Sequence, residues 1–117
     1  MRAKDLMIGD WVYDIILQGY TKVEVLTLSG IKGTIHDNVW HEKTFEPIPL
    51  TPEILEKNGF GEQRFERMSV WSILGFSIEL DFSTWKYYWA NGDVEISSVH
   101  ELQHALRLCG ITKEIQI

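Results

Sequence analysis

The sequence predicts an α+β fold in two parts. Residues 1–50 are expected to form a small, curled, barrel-like β unit, and residues 51–117 a helix, an antiparallel β-meander and a C-terminal helix. Short runs rich in β-branched and aromatic residues, separated by turn residues, predict the strands in both parts. A proline-rich stretch marks the boundary between the parts, because proline cannot continue a central strand. We expect the two parts to pack as one compact body.

The first part contains four predicted strands, at residues 10–17, 21–28, 31–35 and 39–45. The turns between them are expected at 18–20, at Ser29-Gly30 and at Asp37-Asn38, where glycine, asparagine and aspartate favour tight turns. Several short strands joined in this way are typical of a small barrel or a strongly curled sheet.

The second part begins with a predicted short helix. Thr51 can cap its first turn, Pro52 suits the first helical position, and Asn58-Gly59 can end it. Strands are then expected at residues 64–71, 76–82, 85–90 and 93–97, and Asn91-Gly92 predicts a type I′ hairpin turn. A helix over residues 98–109 closes at Gly110, and a last strand is predicted over 111–117.

Composition and charge limit the classes of partner. The formal net charge is −6, with five basic and seven acidic residues in 1–50 and six basic and ten acidic residues in 51–117. Without a basic stripe, neither a nucleic acid nor an anionic membrane is an expected partner. No apolar run approaches the roughly 20 residues that span a bilayer. The single cysteine, Cys109, cannot form an internal disulfide, so a reducing, cytoplasmic location is expected.

One segment has the pattern of a catalytic motif. Residues 100–104 read His-Glu-Leu-Gln-His, which is H-E-x-x-H. In zinc peptidases this spacing places two histidines on one face of a helix, and the glutamate acts as general base for a zinc-bound water. The alternative hypothesis is therefore a small zinc-dependent hydrolase with His100 and His104 as ligands and Glu101 as base.

A structural interpretation competes with this motif and is preferred. Ser98 and Glu101 form an S-x-x-E capping box, so the glutamate has a role at the start of the helix. Helical periodicity places His100 and His104 nearly opposite Leu102, and we expect both histidines to point into water. A third ligand is not evident nearby. We therefore predict no catalytic residues, no metal site, no cofactor and no small-molecule ligand.

An aromatic cluster near residue 87 is the best candidate interaction surface. It comprises Trp85, Tyr87, Tyr88 and Trp89. Strand periodicity places Trp85, Tyr87 and Trp89 on the face expected to be core, and Tyr88 on the opposite face near the surface. Cys109 lies on the apolar stripe of the last helix, and we expect it to be a small buried hydrophobe.

Three segments resemble a known family. They are "AKDLMIGDWVY" at the start, "PIPLTPEILEKNGF" in the middle and "VHELQHALRLCGI" near the end. These segments are similar to a family of short proteins, without an assigned activity, from anaerobic gut bacteria and their prophage-like and mobile elements. Separately, residues 8–12 (IGDWV) resemble the opening of SH3-like small barrels, which implies a fold and not a function.

The sequence therefore favours a non-enzymatic accessory protein of a phage or mobile element. It is expected to act by binding another protein or by self-association, because aromatic residues are abundant and no catalytic pattern stands out. Nucleic-acid binding by the barrel-like part is a further alternative, which rests on fold analogy alone.

Overall fold

A computed structural model describes residues 1–89 and 92–117. The chain divides into two compact units, Met1–Pro49 and Leu50–Ile117. Each unit contains one five-stranded sheet, and every described strand pair is antiparallel. The second unit also contains two α-helices, so the predicted α+β class is confirmed. Within the described residues, no helix has the length and apolar character needed to cross a membrane.

The first unit has the strand order β4-β3-β2-β1-β5. Its strands are β1 (Trp11–Asp14), β2 (Gly19–Leu26), β3 (Gly30–Gly33), β4 (Trp40–His41) and β5 (Phe45–Pro47), and two short 3₁₀ helices span Ala3–Asp5 and Glu42–Thr44. The sheet has a register irregularity in β2 between Val23 and Val25, and it is not a closed barrel. Its core consists of Ala3, Leu6, Val12, Val23, Ile31 and Phe45.

Two local predictions for this unit are wrong in detail. The first turn occupies residues 15–18, before the predicted 18–20, because the buried carboxylate of Asp14 accepts the amides of Ile16 and Leu17 at 2.8 and 2.7 Å. The predicted strand 39–45 is interrupted by the 3₁₀ helix Glu42–Thr44. His41 begins that helix, since its Nδ1 accepts the backbone N–H of Lys43 at 3.1 Å.

The second unit has the strand order β10-β9-β8-β7-β6, which is a continuous meander. Its elements are α1 (Pro52–Lys57), β6 (Gly61–Arg64), β7 (Met68–Ile73), β8 (Phe76–Asp81), β9 (Lys86–Trp89), β10 (Val94–Ile96) and α2 (Val99–Leu108). The predicted helix starts are confirmed: Thr51 caps α1 and Ser98 caps α2 through their side-chain oxygens. Strand β6 was not predicted as a separate element.

The β8 alternation predicted from the sequence is present in the structure. Ile78 and Leu80 are buried, whereas Glu79 and Asp81 are only partly buried and lie on the opposite face. Strands β9 and β10 pair antiparallel, with Trp89 opposite Val94. Asn91 of the predicted type I′ turn lies outside the described residues.

The last residues do not form the predicted strand. Residues 111–117 carry no regular secondary structure, yet Ile115 is fully buried. Asn58, at the end of α1, holds this segment: its Nδ2 donates to the carbonyl of Gln116 at 2.8 Å, and its Oδ1 accepts the Gln116 amide at 2.7 Å. The C-terminal segment is therefore ordered by a side chain and not by strand pairing.

Candidate functional site

The H-E-x-x-H segment forms the first turns of α2, where Glu101 completes the N-terminal cap. Ser98 Oγ accepts the backbone N–H of Glu101 at 3.4 Å and donates to Glu101 Oε1 at 2.9 Å. Ser97 donates to the same Oε1 from its hydroxyl at 2.8 Å and from its amide at 3.3 Å. Burial alone would raise the pKa of Glu101, but the hydrogen bonds from Ser97 and Ser98 outweigh it and hold that pKa below its ordinary value. These bonds stabilise Glu101 as an ionised cap.

The two histidines do not point into water as predicted. His100 is only 8% exposed and its Nδ1 lies 3.1 Å from Ser98 Oγ, while His104 is partly buried. The two rings are edge to face, 5.6 Å apart. Gln103, on the same helix face, lines a depression together with residues 110–115. Residues 110–115 therefore lie beside a face of α2 that was expected, from helical periodicity alone, to be exposed to solvent.

The surroundings of the pair are those of a packed helix. Within residues 1–89 and 92–117, no group of three or more histidine, cysteine, aspartate or glutamate side chains could hold a metal ion. His104 lines a small cleft of about 180 Å³, and the other lining residues include Trp89, Glu95 and Glu101.

Cys109 is exposed, so the expectation of a buried residue is wrong. It lies at the C-terminal cap of α2, and Leu108 before it is 78% exposed. The buried stripe of the helix ends at Leu106, because the chain turns away at Gly110 with a positive φ of 74°. The apolar pattern therefore extends one turn beyond the part of the helix that packs.

The burial of the residues in the aromatic cluster differs from the prediction. Tyr87 is buried as expected, and Tyr88 and Trp89 are partly buried. Trp85, however, is 69% exposed and lies in the turn before β9 with a φ of +57°. Strand alternation begins only at Lys86, so it does not place Trp85 on the core face. Its ring packs on Phe82, with centroids 5.6 Å apart.

Tyr88 belongs to a continuous face of the second sheet. Strand register places Val70, Glu79, Tyr88 and Glu95 in one row across β7 to β10, and Met68, Asp81 and Lys86 in the next. These side chains lie on the face opposite Ile78 and Leu80, since neighbouring residues of a strand point to opposite sides. We call this surface the outer face.

The outer face holds a depression lined by residues of β7, β8 and β9. It is open, has a volume of about 850 Å³, and lies over β7 and β8 and the turn after β8. Its lining combines three carboxylates, one cation and apolar rings: Glu66, Arg67, Met68, Glu79, Asp81, Phe82, Ser83, Tyr88 and Gly92. We call it the outer groove. Two sequence signals bear on it: Tyr88 was a candidate interaction residue, and Glu79 and Asp81 alternate with residues expected to be buried.

The charges at the outer groove are fixed by local hydrogen bonds. The hydroxyl and amide of Ser83 donate to Asp81 Oδ1 at 2.7 and 2.8 Å, and these bonds hold the pKa of Asp81 below its ordinary value. Beside it, Lys86 pairs with Glu95 at 3.2 Å, which raises the pKa of Lys86. Asp81 therefore carries its negative charge at neutral pH.

The first unit contains a buried polar pair that the sequence did not reveal. His36 Nε2 bonds to Asp14 Oδ2, and both side chains are almost completely buried. The His36 ring lies between Trp40 and Phe45, with centroids 5.2 and 5.3 Å away. Asp14 also shapes the turn at residues 15–18, so this pair has a clear structural role.

A comparison of the chain with protein-family models, with curated proteins and with solved structures finds no match.

Proposed function

We propose that this chain is a non-enzymatic protein-interaction module that binds a segment of a partner protein in the outer groove. The exposed indole of Trp85, packed on the groove residue Phe82, is the observation that carries the proposal. A tryptophan left 69% exposed beside an open groove is typical of a binding surface, since aromatic residues are enriched at the centres of interfaces.

The lining of the outer groove supports binding over catalysis. Among its described lining residues the one aliphatic hydroxyl, that of Ser83, donates to Asp81, and neither histidine nor cysteine is present. A nucleophile needs an adjacent base, and a carboxylate held ionised by two hydrogen bonds is a weak base. This surface suits recognition of a ligand.

The capped helix weighs against the zinc-hydrolase alternative. Glu101 accepts three hydrogen bonds from the two serines before the helix, and His100 contacts Ser98. A general base and a ligand would each have to leave these partners. The alternative of nucleic-acid binding by the barrel-like part has less support still, because residues 1–50 contain five basic and seven acidic residues and the net charge of the chain is −6.

We include in this proposal the family of the protein and its location in the cell. The three segments that resemble proteins of gut bacterial mobile elements support an accessory role in such an element. The SH3-like resemblance of the first unit rests on residues 8–12 (IGDWV) and stays a part of the proposal. The single cysteine supports a cytoplasmic location.

Selection from a displayed library of random linear peptides tests the proposal. The baits are the intact chain and the double variant Trp85→Ala/Tyr88→Ala, with Leu74→Ala/Leu108→Ala as the control that removes two exposed apolar side chains not among the groove residues. We expect peptides that bind the intact chain and the control but not the groove variant. Equal recovery on all three baits, or no enrichment on any of them, would contradict the proposal.

A further inference from the structure

We propose that the segment bound in the outer groove is extended and rich in arginine or lysine. This inference rests on the proposed function and names the chemistry of the partner. The outer groove combines three features that a cationic segment needs: carboxylates on its floor, aromatic rings beside them, and an open shape along a sheet face.

The charges of the outer groove favour a cation. Among the described lining residues, Glu66, Glu79 and Asp81 face one arginine, Arg67, which leaves a formal charge of −2. A second arginine, Arg64, lies over the ring of Phe82, and its charge is paired with Glu62 at 3.6 Å. The neighbouring Lys86 is paired with Glu95 and so contributes little repulsion. Opposite charges steer a partner toward the site and select against anionic competitors.

The aromatic side chains give a second, independent reason. Glu79 and Tyr88 are direct cross-strand neighbours, so a carboxylate and a ring lie side by side on the floor. A guanidinium over an aromatic face is a favourable contact. The chain itself shows such a contact here, because the guanidinium of Arg64 lies 5.3 Å from the centre of the Phe82 ring. A partner's cation would use Tyr88 and Trp85, which are not engaged in this way.

The shape favours a peptide segment over a small cation. The depression is open and its lining includes residues of β7, β8 and β9, whereas sites for small molecules enclose most of the ligand surface. Side chains of an extended segment alternate, so every second residue can face the rows formed by Asp81 and Glu79.

Fluorescence anisotropy with two labelled probes tests the inference. One probe is a short peptide of alternating arginine and serine, and the other alternates glutamate and serine. The test variant is Glu79→Gln/Asp81→Asn, and the matched control is Glu53→Gln/Glu56→Gln, which removes two exposed carboxylates of α1. We expect binding of the arginine probe only, weakened roughly threefold to tenfold in the test variant, unchanged in the control and reduced by added salt.

The outcomes separate this inference from the proposed function. Equal weakening by both double variants would mean that the arginine probe senses only the net charge, which overturns the inference. If the library yields neutral peptides that depend on Trp85 while the arginine probe does not bind, the inference is wrong and the proposed function stands. If neither the library nor the probe yields groove-dependent binding, both are wrong.

Discussion

Ser98 and Glu101 hydrogen-bond to each other in both directions at the start of α2. Ser98 Oγ accepts the Glu101 amide at 3.4 Å and donates to the Glu101 carboxylate at 2.9 Å. This exchange gives the glutamate of the H-E-x-x-H segment a structural role. Substitutions of Ser98 and Glu101 should therefore change the free energy of unfolding of the second unit.

Replacing Ser98 by alanine should destabilise the second unit. The substitution removes the side-chain acceptor for the first turn of α2 and one donor to Glu101, which costs about 1 kcal/mol. Urea denaturation measures the free energy of unfolding. The control is Ser72→Ala, an exposed serine of β7, and a loss no larger than that of the control would count against the cap.

Glu101 should make the stability depend on acid. Its pKa is lower in the folded chain than its ordinary value of 4.5, so the unfolded state binds the proton more readily. The stabilisation is complete above that ordinary value and is lost as the pH falls through the lower, folded value. Glu101→Gln should therefore flatten the loss of stability as the pH falls below about 4.5, measured by denaturation at each pH. Glu56→Gln, on the exposed side of α1, serves as control, and an identical slope in both variants would contradict this role.

Tyr87 should ionise late in alkaline solution. Burial raises the pKa of Tyr87 to about 12, and the negative charges of Glu53 and Glu62 act in the same direction. The protonated phenol is favoured in the folded chain, so this contribution is complete below about pH 10 and is lost as the pH rises toward about 12. Ultraviolet titration of tyrosinate should show a late step that Tyr87→Phe abolishes and that the exposed-ring control Tyr20→Phe retains.

The same Tyr87→Phe variant should fold with almost unchanged stability. The phenol oxygen is buried and has no hydrogen-bond partner among the described residues, so its removal leaves no partner unsatisfied. We expect a change in the free energy of unfolding within about 0.5 kcal/mol, or a small gain. A loss of several times that value would show that the hydroxyl has a partner.

Gly33 should not tolerate a side chain. A Cβ at this position would lie 2.2 Å from Thr21 Oγ1, and the Thr21 hydroxyl also accepts the amide of Ile35 at 3.2 Å. Gly33→Ala should cost roughly 1–3 kcal/mol through overpacking. Gly61→Ala is the matched control, because a Cβ there meets nothing within 4 Å. Similar losses in the two variants, measured by thermal and urea denaturation, would contradict the close approach.

Short sequence patterns predicted the elements that are stabilised by residues close to one another in the chain. Thr51-Pro52 and Ser98-x-x-Glu101 mark helix starts because caps act over three or four residues. The alternation in β8 marks a strand because one face of it is buried. Strand β6 lacks such a pattern, since all four residues of Gly61–Arg64 are exposed, and only pairing with β7 defines it.

The features that the sequence did not predict depend on contacts between residues that are far apart in the chain. The burial of His100 is not visible from helical periodicity, because it depends on packing beyond its own helix. The exposure of Trp85 follows from where β9 begins, and the outer groove follows from the register of three strands. Of the proposed site, the sequence indicated Tyr88 and Trp85 as interaction residues. The alternation in β8 placed Glu79 and Asp81 on its more exposed face but did not mark them as binding residues.

The most direct test of the central claim maps where a cationic segment binds. Backbone amide NMR spectra of the intact chain would be recorded during titration with the alternating arginine and serine peptide. The account predicts that the perturbed amides cluster around the outer groove, at Met68, Glu79 and Tyr88. Perturbations centred on the exposed turn residues Ile15, Ile16 and Leu17 of the first unit, or no perturbation at all, would contradict it.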